Sequence, residues 1–129
     1  MKKFLSLAVV FIGLSAIAMA QKGKITSAKA ANDKNYTVLN AKESIVIYKY
    51  QHLGHSPKEA EKYTPTYFFT TGSSDVLQEF TRLNLKKAFP ANHPFHDALD
   101  ATFKDDKELI SYDDFHKMYK VNWLLKQHP

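Results

Sequence analysis

Residues 43–50 read Glu-Ser-Ile-Val-Ile-Tyr-Lys-Tyr, and this stretch decides the fold class. Ile45, Val46 and Ile47 are β-branched, and Tyr48 and Tyr50 are aromatic. Such side chains fit a pleated, half-buried surface and lose rotamer freedom in a helix. The stretch therefore reads as a strand. Its alternation places Ile45, Ile47 and Lys49 on one face, and Val46, Tyr48 and Tyr50 on the other.

Working outward, Tyr36–Leu39 reads as a short preceding strand. Residues 51–62 are polar, contain Gly54 and Pro57, and read as a surface connection. Pro65–Thr71 (PTYFFTT) reads as a further strand stopped by Gly72. Two or three strands do not stand alone in water, so a helical layer is expected on one face. Ser74 or Asp75 is expected to cap a helix to about Ala88, with Val76, Leu77, Phe80, Leu83 and Leu85 inward and Pro90 as its stop. Asn92 caps the next helix and Pro94 suits its first turn. Phe95, Ala98, Leu99, Thr102 and Phe103 then make one apolar stripe. Asp105 with Glu108, and Ser111 with Asp114, have capping-box spacing. The second box is expected to open a terminal helix with Tyr112, Phe115, Met118 or Tyr119, Asn122 and Leu125 on one side. The expected class is α+β: a small two- or three-stranded antiparallel sheet followed by about three helices packed on it.

The N-terminus has a different character. Residues 1–20 read MKKFLSLAVVFIGLSAIAMA: two lysines, an apolar run and a small-x-small end at Ala18–Ala20. That order is the pattern of a cleaved secretory signal, and the run is short for a bilayer span. The expectation is export to the periplasm or outside the cell, with no stable membrane anchor after cleavage. Residues 21–35 carry Lys22, Lys24, Lys29 and Lys34 against Asp33, with Ile25 as the one large aliphatic side chain. They read as a flexible basic tail. Residues 36–129 hold all the histidines and read as a single small domain.

The 129 residues include no cysteine, so no disulfide staples the fold and no thiolate can act as a nucleophile or metal ligand. The formal net charge is +5. It lies on the signal and the tail, because eleven lysines and Arg82 balance seven aspartates and five glutamates from Tyr36 onward. A neutral body is not the electrostatic footprint of a nucleic-acid binder, and no nucleic-acid partner is expected.

Motifs for serine hydrolases, P-loops and dinucleotide binding are absent from the sequence. Asp105, Asp106 and Glu108 lack the ligand spacing of a calcium loop. Two His-x-x-His spacings remain, His52–His55 and His93–His96. Imidazoles three apart on a helix can face one ion, so His93 and His96 with Asp97 and Asp100 form the candidate metal site. A divalent metal there would make the chain a metal-binding protein or metal-assisted hydrolase, and no other cofactor is expected. His96 with Asp100, and His116 with Asp113, also have the spacing of an oriented acid–base pair. The aromatic residues Tyr48, Tyr50, Tyr67, Phe69 and Trp123 form the second candidate, a binding surface for a protein, peptide or saccharide partner. Because strand neighbours alternate, Tyr67 and Phe69 do not share a face with Phe68. The leading expectation is a small exported, non-enzymatic binding or structural-interaction domain. Six histidines on a neutral body add a third expectation, an acid-responsive surface.

Overall fold

Val46–Tyr50 is the second strand of a four-stranded antiparallel sheet. A computed structural model describes residues 24–52, 58 and 64–129. The expected signal segment, its expected cleavage point and most of the 51–62 connection lie outside the described residues. The sheet order follows the chain: β1 (Tyr36–Val38), β2 (Val46–Tyr50), β3 (Thr66–Thr71) and β4 (Ser74–Glu79). Ile47 pairs with Phe69, and Tyr48 with Phe68, so the two faces separate as strand alternation requires.

Helices cover the first face. Ile45, Ile47, Phe69 and Phe80 are buried against α2 (Arg82–Ala88), α3 (His93–Thr102), a 3-10 turn (Asp106–Ile110) and α4 (Lys120–Gln127). These elements contribute Leu85, Phe95, Leu99, Phe103, Leu109 and Val121 to the same core. Each such side chain removed from water contributes about 1.5–3 kcal/mol. Of the expected α3 stripe Phe95, Leu99 and Phe103 are buried and Ala98 half-buried, but Thr102 is exposed at the helix end; Asn92 Oδ1 accepts from the Phe95 N–H at 3.2 Å as the cap predicts. Asp105 caps the 3-10 turn through the Glu108 N–H at 3.2 Å. The domain is α+β, with four strands in its sheet where two or three were expected and a separate two-stranded hairpin.

That fourth strand is a correction. Residues 74–79 do not begin a helix; they return along β3 after a turn at Gly72–Ser73. Val76, Leu77 and Phe80 satisfy a helical spacing, but pairing with β3 supplies backbone partners and burial on both faces. Leu77 goes to the second face and Phe80 to the first. The helix starts later, where Thr81 Oγ1 accepts from the Asn84 N–H at 3.1 Å. Leu83, expected inside, is 62% exposed.

The 111–119 region is the second correction. Tyr112–Asp113 (β5) and Met118–Tyr119 (β6) form a two-stranded hairpin, and α4 begins only at Lys120. Ser111 does not cap a helix; its Oγ donates to the Glu108 carbonyl at 2.6 Å.

The basic segment is the third. From Lys24 onward it is built into the fold. Thr26 bridges Val76 at the outer edge of β4, and the Leu77 N–H donates to the Ile25 carbonyl at 2.8 Å. Ser27–Ala31 then forms a short helix, α1, capped by Thr26. Ala30, 1% exposed, packs with Tyr48 and Leu77 on the second face of the sheet. Composition alone misses this because the contact is made by a small residue and a single aliphatic one. The aromatic face of the sheet supplies the rest of the burial.

Candidate functional site

The β5–β6 hairpin builds its tip from one carboxylate. Asp113 Oδ1 accepts from the Phe115 N–H at 3.0 Å and from the His116 N–H at 3.1 Å. This side-chain-to-backbone turn competes with helix, and here it prevails. Lys117, at φ 57°, takes the left-handed conformation that brings the chain back into β6. The result lifts Phe115 into solvent, 87% exposed.

The other carboxylate oxygen holds His116. Nδ1 of the ring lies 2.6 Å from Asp113 Oδ2. An ionised carboxylate only accepts, so the hydrogen-bond network assigns the Nδ1 proton to His116. The imidazole also lies flat on Trp123 of α4, with centroids 3.5 Å apart and planes 16° apart. Phe115 meets the same ring edge-on at 4.9 Å. Behind them, Tyr112 and Tyr119 pack edge-to-face at 5.1 Å, and Tyr112 is 47% exposed. The tip is thus an aromatic corner: Tyr112, Phe115, His116 and Trp123 around one acid.

Electrostatics agree with this geometry. The hydrogen bond from His116 holds the Asp113 carboxyl below its ordinary value, helped by the backbone N–H groups of His116 and Phe115. Burial pushes the Tyr119 hydroxyl up, with Glu43, Tyr67 and Tyr112 adding to the effect. The pair Asp113–His116 has the form of an oriented base. The hydroxyl of Ser111, next to the hairpin, is turned to Glu108 rather than to the ring.

The residues singled out from the sequence are distributed over several places. Tyr48 and Tyr50 lie on one face of the sheet, Tyr67 and Phe69 on the other, as their register dictates. Tyr48 is buried under α1, and Phe69 belongs to the main core with Tyr67 packed against it. Tyr50 packs on Tyr36 at 4.9 Å. The sheet therefore offers no shared platform of these four residues. Trp123 alone of the set joins the aromatic corner. Phe115, which the helical spacing places inside, is the residue that sequence reasoning missed. Its signal was the Asp113-Asp114 pair before it, since such residues favour turns as well as helix starts.

The metal candidates sit around α3. His93 and His96 rings are 5.5 Å apart. His96 Nε2 lies 2.7 Å from the Phe89 carbonyl, which fixes that ring. Asp97 is exposed. Asp100 is turned away to Lys86 at 2.6 Å, with Arg82 at 3.8 Å, and the Lys86 hydrogen bond holds its carboxyl low. Among the described residues no three histidines or carboxylates gather around an ion-sized space. His55 lies outside the described residues.

Among the described residues, open grooves flank the body, two of them largely apolar. One, of about 610 Å³, runs between α4 and the β1–β2 connection past Phe89, Met118 and Leu125. The other, of about 470 Å³, lies between Tyr67, Phe80 and Ile110. Neither contains the His116 ring. No protein-family model, curated protein or solved structure matches the chain.

Proposed function

We propose that the protein is a small exported, non-enzymatic binding domain that docks a partner protein through its aromatic corner. Phe115 carries the reading. A fully displayed phenylalanine is held on a turn whose N–H groups are already satisfied by Asp113, so it is presented at little further ordering cost. Burying that ring in a partner's pocket is worth about 1.5–3 kcal/mol. Tyr112 and Trp123 beside it are of the residue types that anchor interfaces. Asp113 and Asp114 balance Lys117 and Lys120, so the corner suits a neutral, apolar pocket. The lysine-led apolar segment ending at Ala20 supports export. Binding is favoured over turnover because the oriented His116 faces an indole and a phenyl ring rather than a hydroxyl.

A photo-crosslinking side chain placed at position 115, with the exposed position 83 as a control, tests this in the native host. Position 115 should yield one stoichiometric protein adduct that position 83 does not. Matching adducts from both positions, or none from either, would overturn the docking reading.

A further inference from the structure

We propose that the partner is a second copy of this chain: the hairpin tip of each copy seats Phe115 in the groove between α4 and the β1–β2 connection of the other. The inference rests on the docking reading above and names its partner. It joins two features that one chain leaves unmatched. Phe115 is 87% exposed, so it does not enter the groove of its own chain. That groove, of about 610 Å³, has Phe89, Met118 and Leu125 in its walls. Its size and apolar lining are those of a cavity that takes up an apolar group.

Charge fits the same pairing. Lys42 and Lys126, both exposed, edge the groove. The acid in its wall, Glu43, is already held by the side-chain amides of Asn40 and Asn122. The residue that precedes Phe115 is Asp114, an exposed carboxylate. An aromatic ring led by an acid thus meets an apolar groove edged by lysines. Opposite charges at such an edge fix orientation, while the ring in the groove supplies the binding.

The positions of the two patches let the exchange close. Met118 of the groove pairs across the hairpin with Asp113, two residues before Phe115. Trp123 backs the tip through His116, while Leu125 and Lys126 of the same helix line the groove. Tip and groove are therefore neighbours on one hairpin and one helix. A two-fold axis beside them lets each copy give a tip and receive one. The contact is then isologous and stops at two copies.

The purified native chain, with no other protein present, tests this. Sedimentation over a concentration series should show a monomer–dimer equilibrium with no larger species. A photo-crosslinking side chain at position 115 should yield a chain dimer whose attachment maps to Phe89, Met118 or Leu125. Mixing isotopically labelled and unlabelled chains shows that the adduct joins two copies. Phe115→Ser should weaken dimerisation at least about tenfold. Asp114→Lys should weaken it, as should Lys42→Glu together with Lys126→Glu, and combining the three charge reversals should restore it. All four side chains are exposed, so these substitutions leave the core untouched. A native chain that is monomeric at about 1 mM, adducts mapping away from the groove, or charge reversals that fail to compensate would each overturn the second copy as partner. If the purified chain stays monomeric while position 115 captures a different protein in the host, the docking reading stands and this inference alone falls.

Discussion

Asn122 satisfies both backbone polar groups of Ile45. Its Oδ1 accepts from the Ile45 N–H at 2.9 Å, and its Nδ2 donates to the Ile45 carbonyl at 2.9 Å. One buried amide on α4 thus stands in for a neighbouring strand at the start of β2. Nδ2 also donates to Glu43 Oε2 at 2.6 Å, while Asn40 Nδ2 donates to the same Ile45 carbonyl at 2.8 Å and Asn40 Oδ1 accepts from the Ile47 N–H at 2.6 Å. Ile45 is a core residue at an end where the sheet ladder stops. Without Asn122 the buried Ile45 N–H would be unpaired, while the carbonyl would keep Asn40.

Asn122→Ala should cost about 1–3 kcal/mol in urea unfolding, the penalty for orphaning the buried Ile45 N–H. Asn122→Asp should be worse at neutral pH than in mild acid, since a carboxylate there faces both Glu43 and the Ile45 carbonyl. Equal midpoints for the native chain and Asn122→Ala would refute the role given to this amide.

The start of α2 is open to a similar check. Thr81→Ala removes the observed cap and should lose about 1 kcal/mol. Ser74→Ala and Asp75→Ala should each stay within about 0.5 kcal/mol, because those residues lie in a strand. The reverse ranking in thermal melts would restore a helix beginning at residue 74.

Ala30 tests whether the basic segment belongs to the fold. Ala30→Glu places a carboxylate against Tyr48 and Leu77 and should cost about 1–3 kcal/mol. The strap can escape by detaching, so protease cleavage within residues 24–35 should accelerate in parallel. A tail free in solvent would show neither effect.

Asp113 predicts the shape of the acid limb. Its carboxyl is held down by His116, so its folded pKa lies below the unfolded value of about 3.9. Its stabilising contribution is therefore complete above the unfolded pKa and is lost as pH falls through the folded one. Asp113→Asn retains a turn-capping oxygen but has no such dependence. The melting-temperature gap between the native chain and Asp113→Asn should be constant near neutrality and close below about pH 4. A gap that widens in acid would contradict the assignment.

Much of the fold was legible in particular residues. Ile45–Tyr50 and Tyr67–Phe69 announce strands because β-branched and aromatic side chains leave little choice of backbone. Asn92 and Pro94 announce α3 because one supplies an acceptor and the other lacks a donor. Two further local signals misled. Val76, Leu77 and Phe80 satisfy helix and strand spacing equally well, and Asp113 and Asp114 serve a tight turn as readily as a helix start. Of the candidate site, the Asp113–His116 pairing followed from its spacing. Its stacking on Trp123 and the exposure of Phe115 did not.

By itself, then, the sequence determined the α+β class, the alternating faces of β2 and β3, the buried stripe of α3 and the absence of any thiol. These follow from side-chain shape and short-range backbone needs. Only tertiary structure decided that residues 74–79 join the sheet, that Ala30 covers its aromatic face, and that Phe115 points outward. Each of those depends on a contact outside its own element: β3 for β4, Tyr48 for Ala30, Trp123 for His116. Local periodicity carries no information about which distant surface is available to pair with it.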